Sequence, residues 1–512
     1  MQFRIHKHTF APLALIGALC GTTFAQEAPP PFIPVSYAYD TGWVENRSSQ
    51  RIVTISFTVY QPQAEWMRLY FQDVHLGRNP QVPGQGSILR MTAFKDGAVQ
   101  EMNTTHVDQW QKSSAYFNGE SVQVEVLADP GTRSRLVMRA LDMGLAPADD
   151  PSQCGSTDDR VPSSDPRSAR LLPIGCTGWL INDCAHCFLT AGHCTSGVSV
   201  AQFNVPNSSS GGGLNNPPPK DQYAVDSSSI QSNGGQGVGN DWGYFGTYPN
   251  STTGLTAYQA QGSAFNVVNP PGTSNNTIRI TGYGVDNGVR NQTQQTHVGP
   301  FVNSSGTTVG YVTDTQGGNS GSPVIWEQTG DAVGIHTHGG CSSTGGNNWG
   351  TGANHSALQN AISSPKGVCA SGNSIFSDGF ESGDYLAGSW VVQNKKAKIR
   401  KRAGKTGNWG ARLKRKTWIE RAVDTTGFSN VTFSYWRKTK NLASGEHMRV
   451  QWWDGSKWNT LEDATGTSWG QVTFSLPASA DNNSNLKIRF RTNSNQKKGW
   501  GDVDDVTVAS CS

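Results

Sequence analysis

Between residues 51 and 128 the chain alternates apolar and polar positions with a period of two. The stretches "RIVTISFTVY", "SILRMTAF" and "SVQVEVLA" each predict a strand with one buried face, and "EWMRLYFQDVHL" a fourth. The segments between them, "GRNPQVPGQG", "KDG", "FNGE" and "ADPGT", are built from turn formers. Together they predict an N-terminal β-sandwich across residues 26–148. A second region, 171–370, carries many short apolar runs separated by loops such as "NVPNSSSGGGLNNPPPK" and "IQSNGGQGVGN". A third, 371–512, is again β-patterned, so the whole chain reads as all-β. Residues 149–170, rich in Asp, Ser and Pro, read as a protease-sensitive linker and the start of the region that follows.

Composition agrees with this reading. Only 15% of the 512 residues are charged and Gly numbers 59, which favours short strands and long turns over helices. The net charge of +3 carries no sign of nucleic-acid binding. It is unevenly spread, however. Residues 371–512 hold 22 Lys plus Arg against 13 Asp plus Glu, with the densest run at "KKAKIRKRAGK".

Residues 1–25 predict a secretory signal: Arg4 and Lys7, an apolar run from Ala11 to Cys20, then the small residues Thr23 and Ala25. The run is shorter than the ~20 residues a membrane span needs. The expectation is a secreted, extracellular protein with no membrane anchor. Eight cysteines follow the signal, an even number suited to disulfides. Cys184 and Cys187 form a C-x-x-C, which reads as a zinc half-site, a redox pair or a local structural bridge. With no second half-site in the sequence, the bridge Cys184–Cys187 is expected and no metal site is assigned. Cys369 and Cys511 bracket the last region and are expected to close it.

Two stretches carry chemistry. "FLTAGHC" ends an apolar strand at His193, and "DTQGGNSGSPV" places Ser320 in a glycine-rich turn before another apolar strand. Glycine permits a tight turn that exposes a hydroxyl and converges backbone amides on one point, as acyl transfer needs. Alone, His193 reads equally as a buried inert imidazole, and a bare G-x-S-G as a plain turn; the combination favours nucleophile and base. An orienting carboxylate should lie between them. Asp241, in "NDWGYFG" at the head of an apolar strand, is the candidate; Asp221 and Asp226 are rivals in polar loop sequence.

Over residues 154–365 these motifs resemble secreted bacterial serine endopeptidases of the chymotrypsin fold, whose chain order is His, Asp, Ser. "CTGWLI" with "FLTAGHC" resembles their histidine-loop disulfide and is also similar to lysyl endopeptidases. "DTQGGNSGSPV" and "VGIHTHGG" resemble glutamyl endopeptidases of bacilli and staphylococci. The resemblance implies a double β-barrel and a protein or peptide substrate. It also implies His193, Asp241 and Ser320 as the catalytic triad, and the amides of Gly318 and Ser320 as the oxyanion hole. It implies the disulfides Cys176–Cys194 and Cys154–Cys341. Thr337 is expected behind Asp241, and a substrate strand is expected to pair along residues 337–339. Asn319 stands where animal trypsins carry the aspartate that binds a new amino terminus, so that switch is not expected.

The expected specificity pocket has two readings. Asp314, six residues before Ser320, reads Arg or Lys if it faces the pocket. Thr315 and His336 read Glu, through hydrogen bonds to the carboxylate, provided that Asp314 turns away. The Glu reading is preferred. His338 is expected near His193 or the substrate strand.

The N-terminal sandwich resembles propeptides of exported proteases, with Arg160–Val161 as one candidate processing point. The C-terminal region, with "DGFESGD" and "GDVDDVTV", resembles jelly-roll modules of secreted hydrolases. Most of its tryptophans read as core and cross-strand residues rather than sugar platforms. Its basic charge suits an acidic cell-surface polymer or glycan. No cofactor is expected; Asp502, Asp504 and Asp505 are calcium candidates, for which a solvated loop is an equal reading. An inactive protease fold serving as a surface-binding protein, and an esterase with the same triad, are the competing classes.

Overall fold

A computed structural model describes residues 24–79, 86–145, 153–370 and 373–510. The fold is all-β. At its centre are two closed six-stranded antiparallel barrels, the arrangement of chymotrypsin-like proteins. The first comprises Ser168–Leu172, Cys176–Leu180, Phe188–Thr190, Gly243–Thr247, Gln222–Ser232 and Val200–Gln202. Its first two strands are buried on both faces, as expected for a barrel roofed by neighbouring structure. Trp179, Phe188, Phe203, Tyr223 and Phe245 fill the interior, with Phe188 and Phe245 stacked at 5.1 Å. Closure leaves no free strand edges in the ring.

The second barrel comprises Thr277–Gly282, Gln295–Ser305, Thr308–Tyr311, Asn348–Gly352, Ala332–Gly339 and Pro323–Trp326. Two short strands add to it, Phe24–Ala25 at the end of Ala332–Gly339 and Val161–Pro162 beside Gln295–Ser305.

The sandwich predicted from alternation is present. One sheet holds Phe32–Asp40, Arg133–Gly144, Trp66–His75 and Phe117–Asn118; the other holds Ile52–Tyr60, Ser121–Ala128, Ile88–Ala93 and Val99–Met102. Ser121–Ala128 alternates half-buried and buried positions along its whole length. The apolar core of this sandwich runs on into Leu172, Val200, Leu214 and Ala224 beside the first barrel. Polar contacts reinforce the seam: buried Arg68 donates to Ser199 Oγ (2.8 Å), and the Tyr116 amide to Gln222 Oε1 (3.0 Å).

The last region is a second sandwich. One sheet contains Ala397–Lys401, Trp409–Lys414, Trp500–Ser510, Val431–Lys440 and Gly470–Ser475, with Asn373–Asp378 alongside. The other contains Val391–Val392, Lys416–Val423, Leu486–Asn493, Met448–Trp453 and Trp458–Ala464. Trp390 and Trp452 are core residues. Several other tryptophans lie under cations, for example Trp458 under Arg489 (3.6 Å) and Trp469 under Lys438 (4.5 Å). The candidate calcium residues are separately engaged. Asp502 is buried in a two-pronged ion pair with Arg412 (2.6 and 2.7 Å), and Asp504 accepts the amides of Lys405 and Thr406.

Cys176–Cys194 and Cys154–Cys341 are bonded as the resemblance implies. The other two expected bridges are not formed, because Cys187 bonds Cys369. The turn Gly367–Ala370 packs on Gln222–Ser232 and Gly243–Thr247, which carries Cys369 to the first barrel. Gly246 makes room for the bridge: a Cβ there would lie 2.7 Å from Cys369 Sγ and 2.9 Å from Cys187 Sγ. Cys184 is itself disulfide-bonded, and its loop is closed by Asp183 Oδ1, which accepts the Cys187 amide (2.9 Å). Cys511 lies outside the described residues. Among them, no helix is long and apolar enough to cross a membrane.

Candidate active site

His193 and Asp241 meet at the first barrel, and Ser320 stands on a second-barrel turn whose backbone is bonded to that barrel. His193 opens the short turn His193–Thr195 after the strand Phe188–Thr190, and the disulfide of Cys194 anchors that turn to Cys176–Leu180. Asp241 precedes Gly243–Thr247; its amide is held by Thr351 Oγ1 (2.9 Å). Its buried carboxylate accepts the His193 amide (3.1 Å) and faces Nδ1 at 2.6 Å. That contact places the proton of a neutral ring on Nδ1 and leaves the Nε2 lone pair free. The rivals are engaged elsewhere, Asp221 by Asn204 and Lys220, Asp226 by Ser228, Tyr248 and Val368.

Ser320 lies in the turn before Pro323–Trp326. Two glycines make that turn feasible. A Cβ on Gly318, at φ +97°, would lie 2.4 Å from Tyr283 O; one on Gly321, at φ +88°, 2.1 Å from Thr177 O. The turn is cross-linked to the first barrel by the Thr177 amide on Ser320 O (2.8 Å) and by Trp179 Nε1 on Gly321 O (3.0 Å). Asn319 Oδ1 accepts the Gln316 amide from within the same loop (2.9 Å).

The chain's own segment 24–28 crosses this site. Phe24 pairs with Gly339 and Ala25 with His338, along the strand expected to take a substrate. The Gln26 carbonyl accepts the amides of both Gly318 (2.5 Å) and Ser320 (3.2 Å), the two expected oxyanion donors. The Gln26 amide donates to Ser320 Oγ (2.8 Å), and Ser320 Oγ donates to Thr337 O (3.3 Å). His193 Nε2 is buried with no hydrogen-bond partner among the described residues. Beyond Gln26, the Ala28 amide donates to Gly175 O (2.8 Å) and its carbonyl accepts from Gln292 Nε2 (2.8 Å).

The Gln26 side chain enters the expected pocket and meets His336: Oε1 lies 2.5 Å from Nε2. A carbonyl oxygen only accepts, so Nε2 carries the proton and Nδ1 accepts from Tyr311 Oη at 2.7 Å. Burial, then the nearby His338 and His193, pull the His336 pKa down to about 3, so the ring is neutral. Thr315 is buried beside it, its hydroxyl accepting from Asn348 Nδ2 (2.8 Å). Asp314 turns away. Its carboxylate accepts the amides of Cys154 and Asp159, each at 2.7 Å.

Two further expectations are corrected. Among the described residues Thr337 makes no hydrogen bond to Asp241; its hydroxyl contacts Trp349 O and His338 Nδ1, while His338 Nδ1 lies 4.0 Å from the Asp241 carboxylate. His338 does lie beside His193, the rings 6.2 Å apart. Arg160 is no exposed processing point. It is buried, ion-paired with Asp158 and donating to Val285 O, and Val161 pairs with Thr296.

Gln26, Tyr311, Asn348 and Thr351 were not legible as site residues. Gln26 directly follows the expected signal, and the other three are ordinary strand residues whose partners are set by barrel register.

No protein-family model matches the chain, and no curated protein matches it. Solved structures do. A Glu endopeptidase in complex with MPD aligns at 20% identity over 41% of this chain and 98% of its own, with a TM-score of 0.33. The protease Anisep from Arthrobacter nicotinovorans aligns at 16% identity over 41% of this chain and 100% of its own (TM-score 0.32). A carbohydrate-binding module, TmCBM61 in complex with β-1,4-galactotriose, aligns at 15% identity over 26% of this chain and 94% of its own (TM-score 0.22).

Proposed function

We propose that the chain is an exported serine endopeptidase, made as a precursor, that cleaves after glutamate. The supporting observation is the seat of Gln26. Its carbonyl oxygen rests on the Gly318 and Ser320 amides while its side chain meets His336 Nε2. In the reaction, Ser320 Oγ attacks the carbonyl carbon and His193 Nε2 takes the hydroxyl proton. Asp241 holds Nδ1–H and stabilises the imidazolium. Negative charge developing on the carbonyl oxygen meets two fixed amides, each such donor contributing about 3 kcal/mol to the barrier reduction. His193 returns the proton to the leaving amine, and water then releases the acyl group by the same path reversed.

The pocket favours an acidic side chain in two ways. Neutral His336 presents an N–H donor, and its bond strengthens when the acceptor is charged. Asp314, the residue that would attract Arg or Lys, spends its carboxylate on Cys154 and Asp159. The propeptide role falls to the sandwich at 26–148, whose core is continuous with the first barrel. The C-terminal sandwich is assigned to an acidic polymer. Lys395, Lys398, Arg400, Arg412, Lys414 and Arg415 line a concavity of about 160 Å³ on it.

The test is a digest of a denatured protein mixture by the wild type and by Ser320→Ala, with every new peptide end sequenced. Ends following Glu, present only with Ser320, are expected. Ser320-dependent ends following Arg or Lys would overturn the specificity. No Ser320-dependent ends from folded, processed protein would overturn the activity.

A further inference from the structure

We propose that residues 24–28 are a built-in, substrate-shaped inhibitor, in which Gln26 occupies the glutamate pocket without glutamate's charge. This rests on the glutamate reading above. Five contacts in one short segment carry it: strand pairing of Phe24 and Ala25 with Gly339 and His338, the Gln26 carbonyl on both oxyanion amides, and its side chain on His336. The other two hold Ala28, on Gly175 O and Gln292 Nε2. No single loop packing by chance would satisfy backbone and side-chain subsites on both sides of one peptide bond. That bond, Gln26–Glu27, lies where a scissile bond lies.

Two features make the seat inhibitory rather than productive. Glutamine matches glutamate in length and keeps an acceptor for His336 Nε2, but it offers a neutral acceptor, and its Nε2 is buried without a partner among the described residues. Burying an unpaired donor is costly, so this side chain holds the pocket more weakly than a carboxylate. Further, the Ser320 hydroxyl is drawn to Thr337 O and the Gln26 amide, not to His193 Nε2. The nucleophile is therefore not hydrogen-bonded to its base while the segment is bound. Signal cleavage after Ala25 would remove the two paired residues and leave the contacts of Gln26 and Ala28 intact. The same contacts assign Gly175 and Gln292 as holders of the second residue beyond the scissile bond.

The experiment uses the intact chain, its mass verified, and compares wild type, Gln26→Ala and Gln26→Leu. Ser320 is titrated with a fluorescent phosphonate that reports serine reactivity, and hydrolysis of a peptide with Glu before the cleaved bond is followed in parallel. Both variants are expected to label at least tenfold faster than wild type, with unchanged melting profiles. Two variants are used so that one failing to fold does not decide the matter. Equal labelling across all three, with the Glu peptide cut, would overturn the inhibitor while sparing the specificity. Faster labelling of the variants with the Glu peptide uncut, but others cleaved, would overturn the specificity while sparing the inhibitor. Absence of labelling in all folded forms would overturn both.

Discussion

Tyr311 Oη lies 2.7 Å from His336 Nδ1, deep in the second barrel, and thereby fixes which ring nitrogen faces the pocket. With the phenol donating to Nδ1, Nε2 is left as a donor toward whatever enters. Tyr311→Phe removes that constraint and strands Nδ1. The expected result is about a fivefold rise in KM for Glu substrates, in line with the ~1 kcal/mol of a lost hydrogen bond, with kcat changing less. Steady-state kinetics on matched Glu and Gln peptides would read it. A fall in kcat at unchanged KM would show that Tyr311 serves the chemistry instead.

Asp314 is expected to matter for stability and not for residue preference. Asp314→Ala strips two backbone amides of a buried carboxylate acceptor, at Cys154 and Asp159. It should cost roughly 3 kcal/mol, seen as a shifted denaturant midpoint. The cleavage pattern should be unchanged. A loss of Arg- or Lys-directed cutting would place Asp314 in the pocket.

Acid should unfold the protein partly through His336. Its folded pKa of about 3 lies below the ~6.5 of an exposed histidine, so the unfolded state binds the proton first. Stability from this group is complete above pH ~6.5 and declines as pH falls toward 3, by up to about 1.4 kcal/mol per pH unit. His336→Gln should flatten that part of the curve. Parallel curves for the two proteins would remove His336 from the account.

The bridge Cys187–Cys369 ties the turn Gly367–Ala370 to the first barrel across 182 residues of sequence. Replacing both cysteines with serine should lower stability by about 2–5 kcal/mol. Thermal unfolding against the parent would show it, and an unchanged midpoint would mean that neighbouring packing already closes the barrel.

The basic concavity predicts salt-sensitive adhesion. Binding of the isolated polymer polygalacturonate to the full chain should fall steeply between 50 and about 200 mM salt. Lys398→Glu with Lys414→Glu should abolish it while leaving peptide hydrolysis alone. Retention by the double variant would move the contact to another face.

Much of this was readable from residues. Period-two alternation located the first sandwich, because one face of each strand meets a core. The turn at "GNSGSPV" was readable because glycine-dependent turns impose local sequence, and "TAGHC" because a histidine closes an apolar strand beside a cysteine. The rest depended on distant partners. Nothing near Cys187 points to Cys369; the pairing follows from a turn packing back on the barrel. The direction of Asp314 depends on backbone amides at Cys154 and Asp159 that reach it only after folding. Gln26 directly follows the expected signal with no motif of its own, and its meaning comes from where the barrel edge receives it.

The oxyanion loop is already formed in the uncut chain: Asn319 braces it from within and both amides converge on one acceptor. Under the proposed precursor role, activation would demand no reshaping of the loop, only departure of its occupant. An occupant attached to the same chain faces an effective concentration set by the tether, commonly in the millimolar range for short connections. Dilution cannot dislodge it, and ordinary substrate levels compete poorly. On the proposed reading, latency would belong to covalent continuity, and a single break in the connection would convert a tethered competitor into one that can diffuse away.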